Sequence, residues 1–228
     1  MADARERLER LLDPAHSALV TCECQTAVLG GTTSLGARAV FPDLAAAAAE
    51  AGLVDQVRAL VGAARTAGVP VVHCTALRRP DGLGANANAR LFAAAARVAT
   101  AQPGAALTPG SEAAELHPGI GADPARDLVV PRLHGLGPFQ DTGLASVLRN
   151  LGTGTLVCVG VSLNVALLEL TFGAVDAGFQ VVLPRDAVAG TPPEYAEAVL
   201  RHTLALVASI TDTATVVGHW SPRSPEPS

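Results

Sequence analysis

Short apolar runs alternate along the chain with longer stretches in which alanine, leucine and valine recur among charged residues. The short runs, rich in Val, Leu and Cys, read as strands buried on both faces. They are Ala18–Cys22, Pro70–Cys74, Leu128–Pro131, Thr155–Gly160, Gln180–Pro184 and Ala214–Val217. The longer stretches predict helices over Ala4–Leu12, Asp43–Ala67 with a break near Gly52, Ala87–Val98, Thr142–Asn150, Asn164–Ala177 and Pro193–Ile210. Six strands interleaved with helices predict an α/β protein: a three-layer α/β/α sandwich around a six-stranded, mostly parallel, Rossmann-like sheet. No internal repeat or dividing linker breaks the pattern. The expected organisation is an N-terminal helix over 1–15, one domain over 16–218 and a disordered tail over 219–228, where "SPRSPEPS" carries no apolar period. The glycine-rich "LGGTTSLGARA", Leu29–Ala39, reads as a flexible loop.

Composition narrows the classes. With 228 residues, 49% of them apolar and 16% charged, the chain has ample material for a core and is not a disordered segment. The net charge of −5 and the absence of a long basic run argue against nucleic acid or an anionic membrane as partner. The 23 residues from Thr153 to Val175 carry only Glu169 as a charge, yet Gly160, Ser162 and Asn164 interrupt them, so a strand followed by a buried helix is expected there and no membrane span. The start, "MADARERLERLL", has a charged amphipathic helical pattern without the apolar stretch of a signal peptide. Four cysteines (Cys22, Cys24, Cys74, Cys158) sit mostly inside apolar runs at spacings unsuited to a zinc knuckle, so reduced thiols and a cytoplasmic location are expected. Neither "LGGTTSLG" nor "GLGANANAR" has the spacing of a dinucleotide or phosphate loop, and no cofactor is expected.

Candidate chemistry emerges at the strand ends, because ligands of open parallel sheets bind beyond the carboxyl ends of their strands. The first predicted strand leads to Glu23 and Gln25, and the second to His73, Cys74, Arg78, Asn86 and Asn88. The third leads to Arg132 and His134, the fourth to Ser162 and Asn164, the fifth to Arg185 and Asp186. Polar side chains are scarce in this sequence, and these ends hold a large share of them. Each has a structural reading as well: Asn164 as a helix cap, Asp186 as a turn former, His73 as a satisfied core residue, Arg78 as solvated surface.

Taken together, these stretches resemble the isochorismatase-like hydrolase superfamily, which includes the nicotinamidases and related cysteine amidohydrolases. The resemblance spans about Ala18 to Val217. The family's first strand ends in D-x-Q, where "ALVTCECQ" gives Glu23 and Gln25. Its middle carries a Lys shortly before F-x-x-T-x-L, where "PRLHGLGPFQDTGL" supplies Phe139, Thr142 and Leu144. Its fourth strand runs G-V-x-x-x-x-C into a helix, followed by D-A-x-x-x-G, where the chain reads "GVSLNVA" and later "VVLPRDAVAG". All three positions of the Asp–Lys–Cys triad that this resemblance implies are changed: Glu23 replaces Asp, Ala166 replaces Cys, and Arg132 or Leu133 falls at the Lys. All sixteen basic residues are Arg, so no lysine elsewhere can stand in.

A thioester route needs a thiolate, which Ala166 cannot supply. The isochorismatase branch of the superfamily also lacks this cysteine and protonates an enol ether from its Asp carboxyl. By that resemblance the expected catalytic residues are Glu23 as general acid or base, with Arg132 and His134 binding and polarising the substrate. Gln25, His73, Arg78, Asn86, Asn88, Ser162, Asn164 and Ala166 are the expected substrate-binding positions. The expected partner is a small polar or carboxylated metabolite, and the resemblance implies a homo-oligomer, dimer or tetramer. Nicotinamidase-type members carry a D-x-H metal motif; the sequence has none, and no metal is expected. Two other functions fit the same residues: a non-hydrolytic biosynthetic enzyme (isomerase, lyase or cyclase) and a catalytically inactive ligand-binding pseudoenzyme.

Overall fold

The structure, a computed structural model, describes residues 2–30, 39–103 and 106–221. Most of the glycine-rich segment expected to be a loop, and residues 222–228 of the expected tail, lie outside the described residues. Six strands form one sheet: β1 (Ser17–Cys22), β2 (Val71–Ala76), β3 (Leu128–Arg132), β4 (Thr155–Gly160), β5 (Gln180–Pro184) and β6 (Ser209–Thr211). Their spatial order is β3-β2-β1-β4-β5-β6, and every neighbouring pair is parallel. β1 and β4 are buried along their whole length, as unbroken apolar runs require of central parallel strands.

Successive residues of β1 feed opposite layers. Leu19 packs with Leu53, Val57, Leu60 and Trp220, whereas Ala18 and Val20 pack with Leu144, Leu167 and Leu170. The helices therefore cover both faces. On one side lie α1 (Ala2–Leu11), α4 (Leu53–Ala67) and α9 (Thr213–Trp220). On the other lie α6 (Leu144–Asn150), α7 (Ala166–Asp176) and α8 (Pro193–His202). α4 shows why periodicity predicted it: Leu53, Val57, Leu60, Val61 and Ala64 form one buried stripe. The break near Gly52 is present, with α3 (Pro42–Glu50) ending before it and Gly52 in the left-handed region at φ 62°. Two further helices, α2 (Thr26–Leu29) and α5 (Arg90–Ala101), border the strand ends.

The last predicted elements need correction. The helix expected over Pro193–Ile210 stops at His202, a 3-10 turn occupies Leu204–Leu206, and β6 begins at Ser209 beside β5. Ala214–Val217, expected as a strand, lies inside α9. Asp212 caps that helix, its carboxylate accepting from Thr215 N–H at 2.7 Å. The cap and the burial of Val216 and Trp220 on one face outweigh the β-branched composition of the stretch. α9 also runs through residues assigned to a tail: Trp220 is buried, and its indole N–H donates to the Leu12 carbonyl at 3.0 Å. No described helix is long and apolar enough to cross a membrane.

Candidate active site

The strand order reverses direction between β1 and β4, and the C-terminal ends of β1 to β4 open into a cavity of about 400 Å³. Glu23, immediately after β1, reaches it from a backbone at φ 50°, a left-handed conformation uncommon for a non-glycine residue. The conformation is held from both sides: Glu23 N–H donates to the Cys74 carbonyl at 2.9 Å, and its own carbonyl accepts from Gln25 N–H at 2.8 Å. Arg132, the last residue of β3, extends across the end of β2 and forms an ion pair with the Glu23 carboxylate. Both side chains are largely buried, at 7% exposure for Arg132 and 13% for Glu23. Burial works against the guanidinium's charge, but the Glu23 carboxylate beside it offsets this and its pKa is raised. Arg132 Nε donates to the Gly135 carbonyl at 3.4 Å, and among the described residues Nη1 has no partner although it is buried. Of the two candidate lysine positions, Arg132 is thus the one joined to Glu23, while Leu133 is 52% exposed.

β4 delivers the opposite wall. Gly160 lets the chain turn against β1, since a Cβ there would overlap the Cys22 carbonyl. The Val161–Ser162 peptide is cis. The Ser162 carbonyl then accepts from Val165 N–H at 3.1 Å and Leu167 N–H at 3.0 Å, which starts α7. Ser162, Asn164 and Ala166 all line the cavity. Asn164 donates to the Thr191 carbonyl at 3.1 Å rather than capping α7, and its side-chain oxygen is buried without a partner among the described residues. Ala166 N–H, in the first helical turn, likewise has no acceptor among the described residues.

The remaining expected residues divide. Arg78, Asn86 and His134 line the cavity, Arg78 half-buried, Asn86 and His134 exposed at its mouth. His134 makes no hydrogen bond to Glu23 or Arg132, so only two of the three expected catalytic side chains meet directly. Gln25, His73 and Asn88 do not line the cavity. Gln25 is fully buried and ties loops together, its amide nitrogen donating to the carbonyls of Ala76 and Ala114 and its oxygen accepting from Ala76 N–H. His73 points to the α4 side of the sheet, where its ring nitrogens meet Thr21 Oγ1 at 2.8 Å and Asp127 at 3.1 Å, and Asp127 in turn pairs with Arg65. Asn88 only donates its backbone N–H to the Asn86 side chain, at 2.9 Å, in an exposed turn.

No cysteine lines the cavity, and all four are buried. Burial pushes the Cys24 and Cys74 thiols up to about 12, and Cys22 and Cys158 are raised as well. Among the described residues, no three or more His, Cys, Asp or Glu side chains gather where a metal ion could be held.

Comparison with known proteins is consistent with this geometry. The family model of the isochorismatase domain matches residues 17–215. The chain belongs to the isochorismatase family. A streptothricin hydrolase from Streptomyces noursei is 32% identical over 170 residues, covering 75% of this chain and 48% of that protein. The chain therefore spans about half the length of the curated relative it matches. A cysteine hydrolase from Pseudomonas syringae pv. phaseolicola 1448A superposes with a TM-score of 0.71 at 21% identity, over 91% of this chain and 93% of that one. N-carbamoylsarcosine amidase from Thermoplasma acidophilum gives 0.63 at 19% identity, over 87% and 96%. At those identities the structural likeness speaks to the fold.

One supporting residue of this isochorismatase-family site was not singled out in the sequence. The Glu169 carboxylate, in the first turn of α7, accepts from Phe139 N–H and Gln140 N–H, both at 3.2 Å. It pins the loop that carries His134 onto the helix that carries Ala166. Gly137 permits the approach, because a Cβ there would collide with the Glu169 carboxylate. The only sequence signal was that Glu169 is the lone charge between Thr153 and Val175.

Proposed function

We propose that this chain is an isochorismatase-like enzyme that acts on a small polar or carboxylated metabolite by proton transfer at Glu23, without a covalent thioester. The observation that supports it best is the Glu23–Arg132 ion pair, which faces the same cavity as Ala166. Glu23 is held at the cavity by its ion pair with Arg132. It accepts a proton from water or from the substrate and returns it to the leaving group. Arg132 holds Glu23 with one nitrogen, and its guanidinium charge at the cavity wall favours a substrate carboxylate or oxygen charge developing in the transition state. Ala166 N–H adds a donor from the start of α7, and the alanine side chain leaves room where the family's nucleophile would sit. His134 contributes from the mouth of the cavity as an imidazole able to donate or accept a hydrogen bond.

The test incubates the protein with streptothricin, the substrate named for its relative, and with a panel of amides, N-carbamoyl acids and enol-ether acids. Products are read by mass spectrometry, where hydrolysis adds the mass of water and isomerisation adds nothing. Glu23→Gln should abolish turnover while circular dichroism shows an intact fold. A Glu23→Gln protein that turns substrate over normally overturns the acid–base role. A ligand that protects against thermal unfolding yet gives no product on long incubation replaces this reading with binding alone.

A further inference from the structure

The walls of the cavity do not match a wholly polar ligand. Above the Glu23–Arg132 pair, one side is formed by Val28 of α2 and by Val40, Phe41 and Leu44 at the start of α3. The other is formed by Leu91, Phe92, Ala95 and Ala99, which recur along one face of α5. Two of the chain's five phenylalanines, Phe41 and Phe92, are spent here. α5 has no buried residue: Val98 packs on the small cluster of Ala27, Val40 and Ala113, while Leu91, Phe92, Ala95 and Ala99 line the cavity and Leu91 remains 37% exposed. An amphipathic helix gains most of its stability from burying such a stripe.

We propose that the substrate is amphipathic: a carbonyl or carboxylate head held by Arg132, joined to an aliphatic or aromatic body that lies between α5 and the α2–α3 wall. This rests on the reading that the cavity is the substrate site, and it specifies the substrate beyond its polar end. The polar floor and the apolar walls divide the work. The Arg132 guanidinium at the cavity wall supplies the head with positive charge, and the body covers the apolar residues that α5 turns to the cavity. At a volume of about 400 Å³, the site accommodates a compact organic molecule.

The test measures affinity by calorimetry for straight-chain carboxylates from acetate to octanoate and for the corresponding primary amides. Each methylene that enters the apolar walls should tighten binding about fourfold. Hydrogen exchange should slow in α5 with octanoate and not with acetate. Phe92→Asp, a half-buried position whose substitution spares the core, should flatten the chain-length dependence. Affinity that is flat across both series overturns the proposal. So does a Phe92→Asp protein that keeps the slope, or one that merely changes oligomeric state, which would assign the face to a second copy of the chain. A slope with unimpaired turnover by Glu23→Gln sinks only the acid–base reading. Turnover that depends on Glu23 but binding without a slope sinks only this one.

Discussion

Removing one member of the Glu23–Arg132 pair should be among the most destabilising polar substitutions in this protein, and the two members should not be equivalent. In Glu23→Ala the guanidinium keeps a single long bond to the Gly135 carbonyl at 3.4 Å, and its side chain is 7% exposed. Stranding a buried charge in this way costs about 3–5 kcal/mol. For a domain of this size each kcal/mol lowers Tm by roughly 2–4 °C, so a fall of about 6–20 °C is expected. Arg132→Met strands a carboxylate that borders the cavity, where water can solvate it, and should lie at or below the lower end of that range. The double variant should cost less than the sum of the singles by about 2 kcal/mol or more, since neither charge is then left alone. Backbone strain adds an internal control: Ala keeps the positive φ of Glu23, whereas Glu23→Gly relieves it and should recover about 1 kcal/mol relative to Glu23→Ala. Urea unfolding followed by circular dichroism, with calorimetric Tm, measures all four proteins. Single variants that each cost less than about 1 kcal/mol and add without coupling would refute the buried-pair reasoning.

Two further predictions concern groups away from the cavity. Burial lowers the pKa of His73 despite its bond to Asp127, so the unfolded chain takes up a proton near pH 6.5 that the folded chain refuses. Stability should be full above that pH, fall as pH drops below it, and level off once pH passes the depressed folded value. A second decline should follow below about pH 3.9, because Asp127, although burial opposes it, is held low by Arg65 and the Asp123 N–H. Urea midpoints from pH 7.5 to 4.5 should lose most of the upper step in His73→Gln, and midpoints unchanged over that range in the wild type would contradict the assignment. All four thiols should resist a disulfide reagent in the folded protein and react on unfolding, with turnover unaffected by iodoacetamide; a fast native thiol whose alkylation stops turnover would restore a cysteine mechanism.

The architecture was legible because its signal is local. β4 and β5 have the boundaries that their apolar runs predicted, and the Gly52 break follows from one residue's conformational freedom. β6 was not legible: it is three residues long, and whether Ser209–Thr211 pairs with β5 depends on where α8 lets go. The site was legible to the level of strand ends and no further. Thr21 and His73 are register partners on β1 and β2, on the same face as Leu19 and Val71, which is the α4 side. Alternation along the strand therefore sends His73 into the core network rather than into the cavity. Gln25 sits two residues beyond Glu23 but folds inward, because the backbone groups of Ala76 and Ala114 need partners that only tertiary structure reveals. Glu169 binds backbone N–H groups about thirty residues away in sequence, which no spacing rule connects.

The distribution of unfavourable features carries the last step. Of the three buried side-chain polar atoms without partners among the described residues, two belong to the cavity-lining residues Arg132 and Asn164. Glu23 adds a left-handed backbone, a conformation that costs of order 1–3 kcal/mol. Away from the cavity, buried polar groups such as Gln25, His73 and Asp127 are fully engaged with protein partners. Local misfit concentrated where four strand ends meet is what a ligand site predicts, because functional sites keep unfavourable features that the rest of the fold avoids. A substrate oxygen drawn to the Arg132 guanidinium would sit beside the Glu23 carboxylate. Recognition of the head and proton transfer to or from it therefore draw on one ion pair, which is why a nucleophile at position 166 is dispensable to the proposed chemistry.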